Sequence, residues 1–222
     1  MFVIKRDGRH EPINIAKIQA KINYFNQYPT ELKNTNTKIV VDEVVKGLSN
    51  KIDTSQIDEF TAKCAVIFSV KHPEYATLGA RIIINNHHKN TQTSFKDKMA
   101  MLYYRVDKKG VVCPLLDKTF YKFIVSNQNE IEKAIDYQRD YLLDYFGYKT
   151  LEKTYLLQIN GKVIERPQDL FMREAIALCM NSDDFNDKEA MKRIIETYDL
   201  LSKKKYTHAT PTLFNAGSIY PQ

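Results

Sequence analysis

The most constraining feature of the sequence lies at its start, where a turn signal separates two short extended segments. Residues 2–6 (FVIKR) have the composition of a β-strand. Asp7-Gly8 is a preferred pair for a type I′ turn, and residues 9–15 (RHEPINI) return, with Pro12 limiting how far the strands pair. The sequence therefore predicts a two-stranded hairpin that leads directly into a helix.

The helix that follows this hairpin has a polar start and one apolar face. Asn14 is a favourable N-cap, because its side chain can accept a hydrogen bond from the first turn. Lys17 and Lys21 lie one turn apart and away from the apolar face, where they can meet solvent or a ligand. The residues predicted to form the buried face are Ile15, Ile18, Ile22 and Phe25.

Positive charge and backbone N–H groups converge at this hairpin. Lys5 and Arg6 precede the turn, and the helix start near Asn14 offers N–H groups that have no acceptor within the helix. Both features attract phosphate groups. The pattern thus indicates a phosphate site, and the alternative is an exposed hairpin whose charges are simply solvated.

Three further helices are predicted before residue 90. One covers residues 37–50, where a residue between Gly47 and Asn50 can take the left-handed conformation that ends many helices. Another begins near residue 72 with Pro73 at its first helical position. With the hairpin, the first 90 residues are expected to hold two strands and four short helices.

The remaining helix of this region begins with residues that have two possible roles. Thr54 or Ser55 followed by Asp58 comes close to a capping box, so these side chains can cap the helix. Alternatively, their oxygens orient the ribose or base of a nucleotide. The two roles are compatible.

The segment NNHHKN at 85–90, which contains a His-His-Lys run, closes the fourth helix. The ordinary role of such residues is to stabilise the last carbonyls of the helix. A metal site at His87 and His88 is not expected, because adjacent helical side chains diverge and no third ligand lies nearby in sequence. Lys89 becomes a candidate phosphate contact if the hairpin is a site.

Composition limits the class of protein. The 222 residues are 43% apolar, which is enough for a packed core, and the net charge of +6 comes from 33 basic and 27 acidic residues mixed along the chain. No signal peptide or bilayer-spanning run of about 18 apolar residues is visible. We expect a soluble, cytoplasmic protein that suits phosphate ligands and does not contact a membrane.

The three cysteines are Cys64, Cys113 and Cys179, far apart in the sequence. Their spacing fits neither a zinc site nor a redox pair, so all three are expected to be small buried side chains in a reducing compartment.

The rest of the chain is expected to be mainly helical. Residues 93–145 are rich in tyrosines at helical spacing, which we interpret as core. Asn160-Gly161 predicts a second hairpin, followed by a helix that begins at Arg166-Pro167. A last helix covers residues 187–205, and the final seventeen residues show strand and turn signals but no helix.

Four motifs in order carry a family resemblance over essentially the whole chain: MFVIKRDGRHEPINIAKI, HPEYATLGARI, DYFGYKTLEKTYLLQINGKVIERPQDLFMR and YTHATPTLFNAGSIYPQ. They resemble the N-terminal part of the large, catalytic subunit of class I ribonucleoside-diphosphate reductases of the eukaryotic or viral type. The resemblance implies an α+β, predominantly helical fold. Its expected domains are an ATP-cone of a small β-sheet with four helices at residues 1–92, a helical domain at 93–203, and the start of a ten-stranded α/β barrel at 204–222.

The resemblance also implies an allosteric site for ATP or dATP, with magnesium accompanying the nucleotide. The nucleotide contacts that it implies are Lys5, Arg6, Glu11, Pro12, Ile13, Asn14, Ile15, Ala16, Lys17, Thr54, Asp58 and Lys89. Thr210 matches a position that contacts the substrate diphosphate.

The implied partners are the reductase small subunit, the remainder of the large subunit and further copies of the chain, with no direct contact to nucleic acid. None of the three cysteines matches a catalytic position, so the 222 residues alone are expected to bind nucleotide without reducing ribonucleotides. One alternative is a stand-alone nucleotide-sensing regulator that binds DNA through an added module, but it should carry a zinc ribbon with closely paired cysteines, which this chain lacks. The other is a cone with only a structural role in oligomerisation.

Overall fold

The computed structural model describes residues 1–107 and 109–220 and divides the chain into two compact units. The first unit comprises Met1–Lys89 with Leu143–Tyr148, and the second comprises Asn90–Leu142 with the residues from Lys149 onward. The described residues are mainly helical with two small sheets, as the predicted α+β class requires. Within them, no helix has the length and apolar character needed to cross a membrane.

A three-stranded sheet organises the first unit. The central strand β1 (Phe2–Ile4) pairs antiparallel with β2 (His10–Pro12), which ends at the proline as predicted. On its other side, β1 pairs in parallel with β3 (Ile52–Asp53). The third strand was not predicted, because two residues are too short to show a period and their partner is distant in sequence.

The first hairpin forms, but the predicted type I′ turn is wrong. Gly8 has a φ of 82°, whereas Asp7 is not among the residues with positive φ, and the Gly8 N–H donates to the Lys5 carbonyl at 2.9 Å. This is a type I turn followed by a left-handed glycine, a common three-residue hairpin loop. It places Arg6 at the first central position of the turn.

Four α-helices complete the first ninety residues, as predicted. They are α1 (Ile15–Gln27), α2 (Thr37–Lys46), α3 (Thr54–Ile67) and α4 (Glu74–Asn90), with a 3-10 turn at Phe68–Val70 after α3.

Capping residues decide where these helices begin. Asn14 caps α1 as predicted, and its side chain accepts from the Lys17 N–H at 3.2 Å. The N-cap of α3 is Asp53, so the expected cap at Thr54 or Ser55 is wrong by one residue. The Asp53 N–H donates to the Gln56 side chain at 3.2 Å, which closes the turn without Asp58. Asp58 is thereby left for another role.

Two smaller expectations in the first unit are also wrong. Gly47 caps α2 with a φ of −95°, and the left-handed residue is Lys51 instead. A Cβ on Gly47 would lie 2.3 Å from the Phe60 ring, so glycine is needed there for close packing. Helix α4 begins at Glu74, one residue after Pro73.

The apolar face of α1 is buried only at its C-terminal half. Ile22 and Phe25 are buried as predicted, Ile18 is partly buried and Ile15 is exposed. The prediction was wrong for Ile15, which belongs to the first turn, beside the hairpin.

Seven further α-helices follow in the described residues after Lys89. They are α5 (Phe95–Tyr103), α6 (Lys118–Ser126), α7 (Gln128–Ala134), α8 (Tyr145–Thr150, whose first four residues belong to the first unit), α9 (Pro167–Cys179), α10 (Lys188–Ser202) and α11 (Thr210–Asn215). A 3-10 segment covers Tyr137–Leu142 and a π-helical turn covers Leu151–Tyr155. The core is apolar and includes Phe120, Met172 and Ile194.

The second hairpin follows the prediction in detail. Strands β4 (Gln158–Ile159) and β5 (Lys162–Val163) are joined by Asn160 and Gly161, whose φ angles are 51° and 78°. Positive φ at both residues defines a type I′ turn.

Helix α11 corrects the expectation that the last seventeen residues contain no helix. Pro211 occupies its first turn, where the absence of a proline N–H costs no hydrogen bond. The segment is too short for sequence periodicity to reveal it.

The expectation for the cysteines holds only in part. Cys64 is buried and Cys179 is partly buried, but Cys113 is exposed, so its predicted burial is wrong. Cys113 lies in an irregular segment between α5 and α6, where local sequence says little about burial.

Candidate functional site

A cavity of about 450 Å³ opens in the first unit, a size that suits a small-molecule ligand. It is built from the first hairpin, the start of α1, the start of α3 and the end of α4. Its basic side chains are Lys5, Arg6, Lys17, Lys21 and Lys89. Its apolar side chains are Val3, Pro12, Ile13, Ile18 and Ile57, and its carboxylates are Asp7, Glu11 and Asp58.

Asp58 forms the buried end of the charge network. Its Oδ2 lies 2.5 Å from the Lys21 Nζ and 3.3 Å from the Arg6 Nη2. Arg6 also donates to Asn86 Oδ1 at 2.5 Å, and Ser55 donates to the same oxygen at 3.1 Å. Helices α3 and α4 thus fix the position of the turn residue Arg6.

Burial acts against the charge of Lys21. Burial lowers the pKa of the Lys21 ammonium, while Asp58 opposes this effect, and Lys89 and Arg6 lower the pKa further through like-charge repulsion. Three cations therefore share the field of one carboxylate. An anionic ligand would relieve their repulsion.

Glu11 forms the exposed end of the network. Its carboxylate oxygens lie 3.4 Å from the Lys5 Nζ, 3.8 Å from the Lys17 Nζ and 3.7 Å from the Arg9 Nη1. The separations are long for ion pairs, so the lysines are only loosely held.

The start of α1 borders the same cavity through Asn14 and Lys17. Asn14 lines the cavity and caps the helix, and the first turn carries no acidic residue to offset the positive end of the helix dipole. Cationic side chains and a helix N-terminus together are the usual elements of a phosphate site.

Comparison with known protein families matches both parts of the chain. Residues 1–90 match the ATP cone domain family, and residues 141–219 match the all-alpha domain of ribonucleotide reductase. The ribonucleoside-diphosphate reductase large subunit of Arabidopsis thaliana is 40% identical over 223 aligned residues, which cover 100% of this chain and 26% of that protein. The chain belongs to the ribonucleotide reductase family and corresponds to the N-terminal part of its large subunits.

Other large subunits of the family show the same extent of similarity. Those of Dictyostelium discoideum and Danio rerio are 38% and 39% identical, over the whole of this chain and 25% and 27% of their own lengths. The chain thus spans about a quarter of the length of the curated relatives that it matches. The region that matches the ATP cone domain, residues 1–90, contains every residue that lines the cavity.

Most of the sequence-predicted nucleotide contacts lie together in the ATP-cone cavity. The exceptions are Ile15 and Ala16, which do not line it. Ile15 instead lines a shallow groove with Val41 and Val45 on α2. Ala16 is exposed.

The candidate substrate contact Thr210 lies in the second unit, at the start of α11. Its hydroxyl is 3.1 Å from the hydroxyl of Tyr155, whose ring stacks on Phe214 at 5.0 Å. It therefore occupies a hydrogen-bonded position at a helix start.

Sequence reasoning did not include Lys21 among the nucleotide contacts, although it lies in the cavity. Its spacing from Lys17, off the apolar face of α1, was the available signal. Ile18 was assigned to the core, whereas it lines the cavity as an apolar wall. Thr61 also lines the cavity, with its hydroxyl donating to the Ile57 carbonyl at 2.7 Å.

The histidines at the end of α4 are not arranged around a metal. The His87 ring is buried and packs edge-on against Tyr148, with ring centroids 5.7 Å apart. In the part of the chain that the structure describes, no group of three or more His, Cys, Asp or Glu side chains is placed to hold a metal ion.

Proposed function

We propose that the cavity of the first unit binds ATP or dATP as an allosteric effector. The observation that carries the proposal is the convergence of five basic side chains, from the turn after β1, from α1 and from α4, on one cavity with an apolar wall. The cations and the α1 start suit a triphosphate, and the apolar wall suits a nucleoside.

The proposed contacts divide by chemistry. Lys5, Lys17 and Lys89 bind phosphate oxygens together with the N–H groups at the start of α1, and magnesium accompanies the triphosphate. Thr54 and Asp58 border the ribose and base. The cavity-lining residues that we propose lie beside the bound nucleotide are Lys5, Arg6, residues 11–14, Lys17, Thr54, Asp58 and Lys89, to which we add Lys21.

This chain is further proposed to serve in the reduction of ribonucleoside diphosphates in the cytoplasm, together with the remainder of a large subunit and with a small subunit. In this proposal residues 1–92 form the regulatory cone, 93–203 a helical domain, and 204–222 the start of the catalytic barrel, where Thr210 contacts the substrate diphosphate. ATP and dATP signal only if they stabilise different states, such as different homo-oligomers.

Isothermal titration calorimetry of the 222-residue chain with ATP and dATP tests this proposal. We expect both nucleotides to bind, and Lys5→Ala and Lys17→Ala each to weaken binding about tenfold, since each removes a charge-assisted contact. Lys46→Ala is the matched control, because Lys46 pairs with Glu43 on α2, away from the cavity. Absence of heat with both nucleotides would overturn the proposal, and unchanged affinity in both cavity variants would favour a structural cone.

A further inference from the structure

The two carboxylates that contact the cavity's cations are held in different ways. The Asp58 side chain is 12% exposed and lies 2.5 Å from Lys21. It sits on α3, and its second partner Arg6 is itself fixed by Asn86. Asp58 is therefore a permanent part of the structure.

Glu11 is held much more loosely. Its side chain is 32% exposed, and its partners Lys5 and Lys17 are 30% and 70% exposed at separations of 3.4 and 3.8 Å. Ion pairs of this kind are screened by water and salt, and they exchange partners at little cost.

The sheet nevertheless keeps Glu11 at the cavity. Strand register places Glu11 directly opposite Val3, which is buried and lines the cavity. Opposed residues of an antiparallel pair share a face of the sheet, so the Glu11 side chain leaves the backbone on the cavity side. Its carboxylate thus stays within reach of the two lysines.

We infer that Glu11 acts as an internal counter-anion, which occupies Lys5 and Lys17 until the phosphates of a bound ligand displace it. This inference rests on the proposed nucleotide site and specifies how that site is regulated. A phosphate group carries more negative charge and more acceptor oxygens than a carboxylate, so it displaces Glu11 from both lysines. The displaced carboxylate remains beside the ligand and repels it.

This competition determines whether removal of the Glu11 charge strengthens or weakens ligand binding. A residue that contributed favourable contacts would weaken binding when removed. A competing anion strengthens binding when its charge is removed, and the gain shrinks as salt screens the charges. Glu11→Gln removes the charge and preserves the shape of the side chain.

Calorimetry with the 222-residue chain tests the inference, with ATP and inorganic tripolyphosphate as ligands. Tripolyphosphate has no base or ribose, so it reports the phosphate contacts alone. We expect Glu11→Gln to bind both ligands about fivefold more tightly than wild type at low salt, with a smaller difference at high salt. Glu43→Gln, which removes a carboxylate paired with Lys46 outside the cavity, should match wild type.

The outcomes separate this inference from the proposed function. Binding by wild type with equal or weaker binding by Glu11→Gln overturns the inference and leaves the nucleotide site intact. Absence of binding by both proteins overturns the nucleotide site itself. Tighter binding of ATP but not of tripolyphosphate also contradicts the inference, because Glu11 would then act on the nucleoside.

Discussion

Two buried ion pairs in the second unit contrast with the partly exposed ion pairs of Glu11 in the first unit, and the contrast separates structural charges from charges that are available to a ligand. In the second unit, Lys98–Asp169 and Arg173–Glu165 are paired at 2.5 and 2.6 Å, and all four side chains are fully buried. In the cavity of the first unit, the lysines that contact Glu11 are 30% and 70% exposed. Charges of the first kind maintain the fold, whereas charges of the second kind can exchange partners for a ligand.

The buried cations have further acceptors. Arg173 donates to the carbonyls of Ala216 at 2.6 Å and Leu213 at 3.3 Å, which ties α11 to α9. The Lys98 ammonium also donates to the Tyr137 hydroxyl at 2.9 Å. Burial lowers the pKa of Lys98 and Asp169 opposes this shift. Both cations therefore donate their hydrogen bonds to acceptors within the protein.

The strongest test of the comparison breaks a buried pair. We expect Arg173→Met to lower the free energy of unfolding by about 3–5 kcal/mol, because the Glu165 carboxylate stays buried without its cation. Urea unfolding followed by circular dichroism measures the change. Lys63→Met, which removes a surface pair with Glu59, is the control and should cost less than about 1 kcal/mol. Similar losses in both variants would contradict the distinction.

A smaller effect is expected at Glu174, a fully buried carboxylate 2.8 Å from His208 Nδ1. Burial raises the pKa of Glu174, and His208 partly opposes this effect. A raised pKa means that the neutral form is favoured on folding. The contribution of Glu174 to stability is therefore complete below the ordinary pKa of glutamate. It is lost as the pH rises through the pKa that Glu174 has in the folded protein.

Glu174→Gln should remove this pH dependence. We expect the stability of wild type, relative to the variant, to fall as the pH is raised, as measured by urea unfolding at a series of pH values. Glu189→Gln changes an exposed glutamate on α10 and should follow wild type. If the free energies of unfolding of wild type and Glu174→Gln changed in parallel with pH, folding would not shift the pKa of the Glu174 carboxyl, and the prediction would be wrong.

The smallest effect on stability is expected in the cavity. Lys17→Ala should change the free energy of unfolding by less than about 0.5 kcal/mol, because Lys17 is 70% exposed and its pair with Glu11 is long. Thermal unfolding measures this difference. A loss of about 2 kcal/mol or more would place Lys17 among the structural charges.

The two hairpins show how far local sequence predicts structure. Asn160-Gly161 and Asp7-Gly8 are both strong turn signals, and both hairpins form. Asn160 takes the left-handed conformation, but Asp7 does not, and the first loop is one residue longer. The dipeptide predicts that a turn occurs, while the register of the flanking strands decides its type.

What sequence could not predict depends on contacts between distant residues. Strand β3 exists only because it pairs with β1. Lys21 belongs to the cavity because Asp58 on another helix lies 2.5 Å away. The family resemblance supplied most of the candidate contacts, but composition and periodicity alone indicated only the hairpin, the capped helix and the nearby cations.

A crystal structure of the 222-residue chain with ATP tests the central claim most directly. The account predicts phosphate oxygens about 3 Å from the Lys5 and Lys17 ammonium groups, at the N-terminus of α1. ATP bound elsewhere, with both lysines still paired to Glu11, would contradict it.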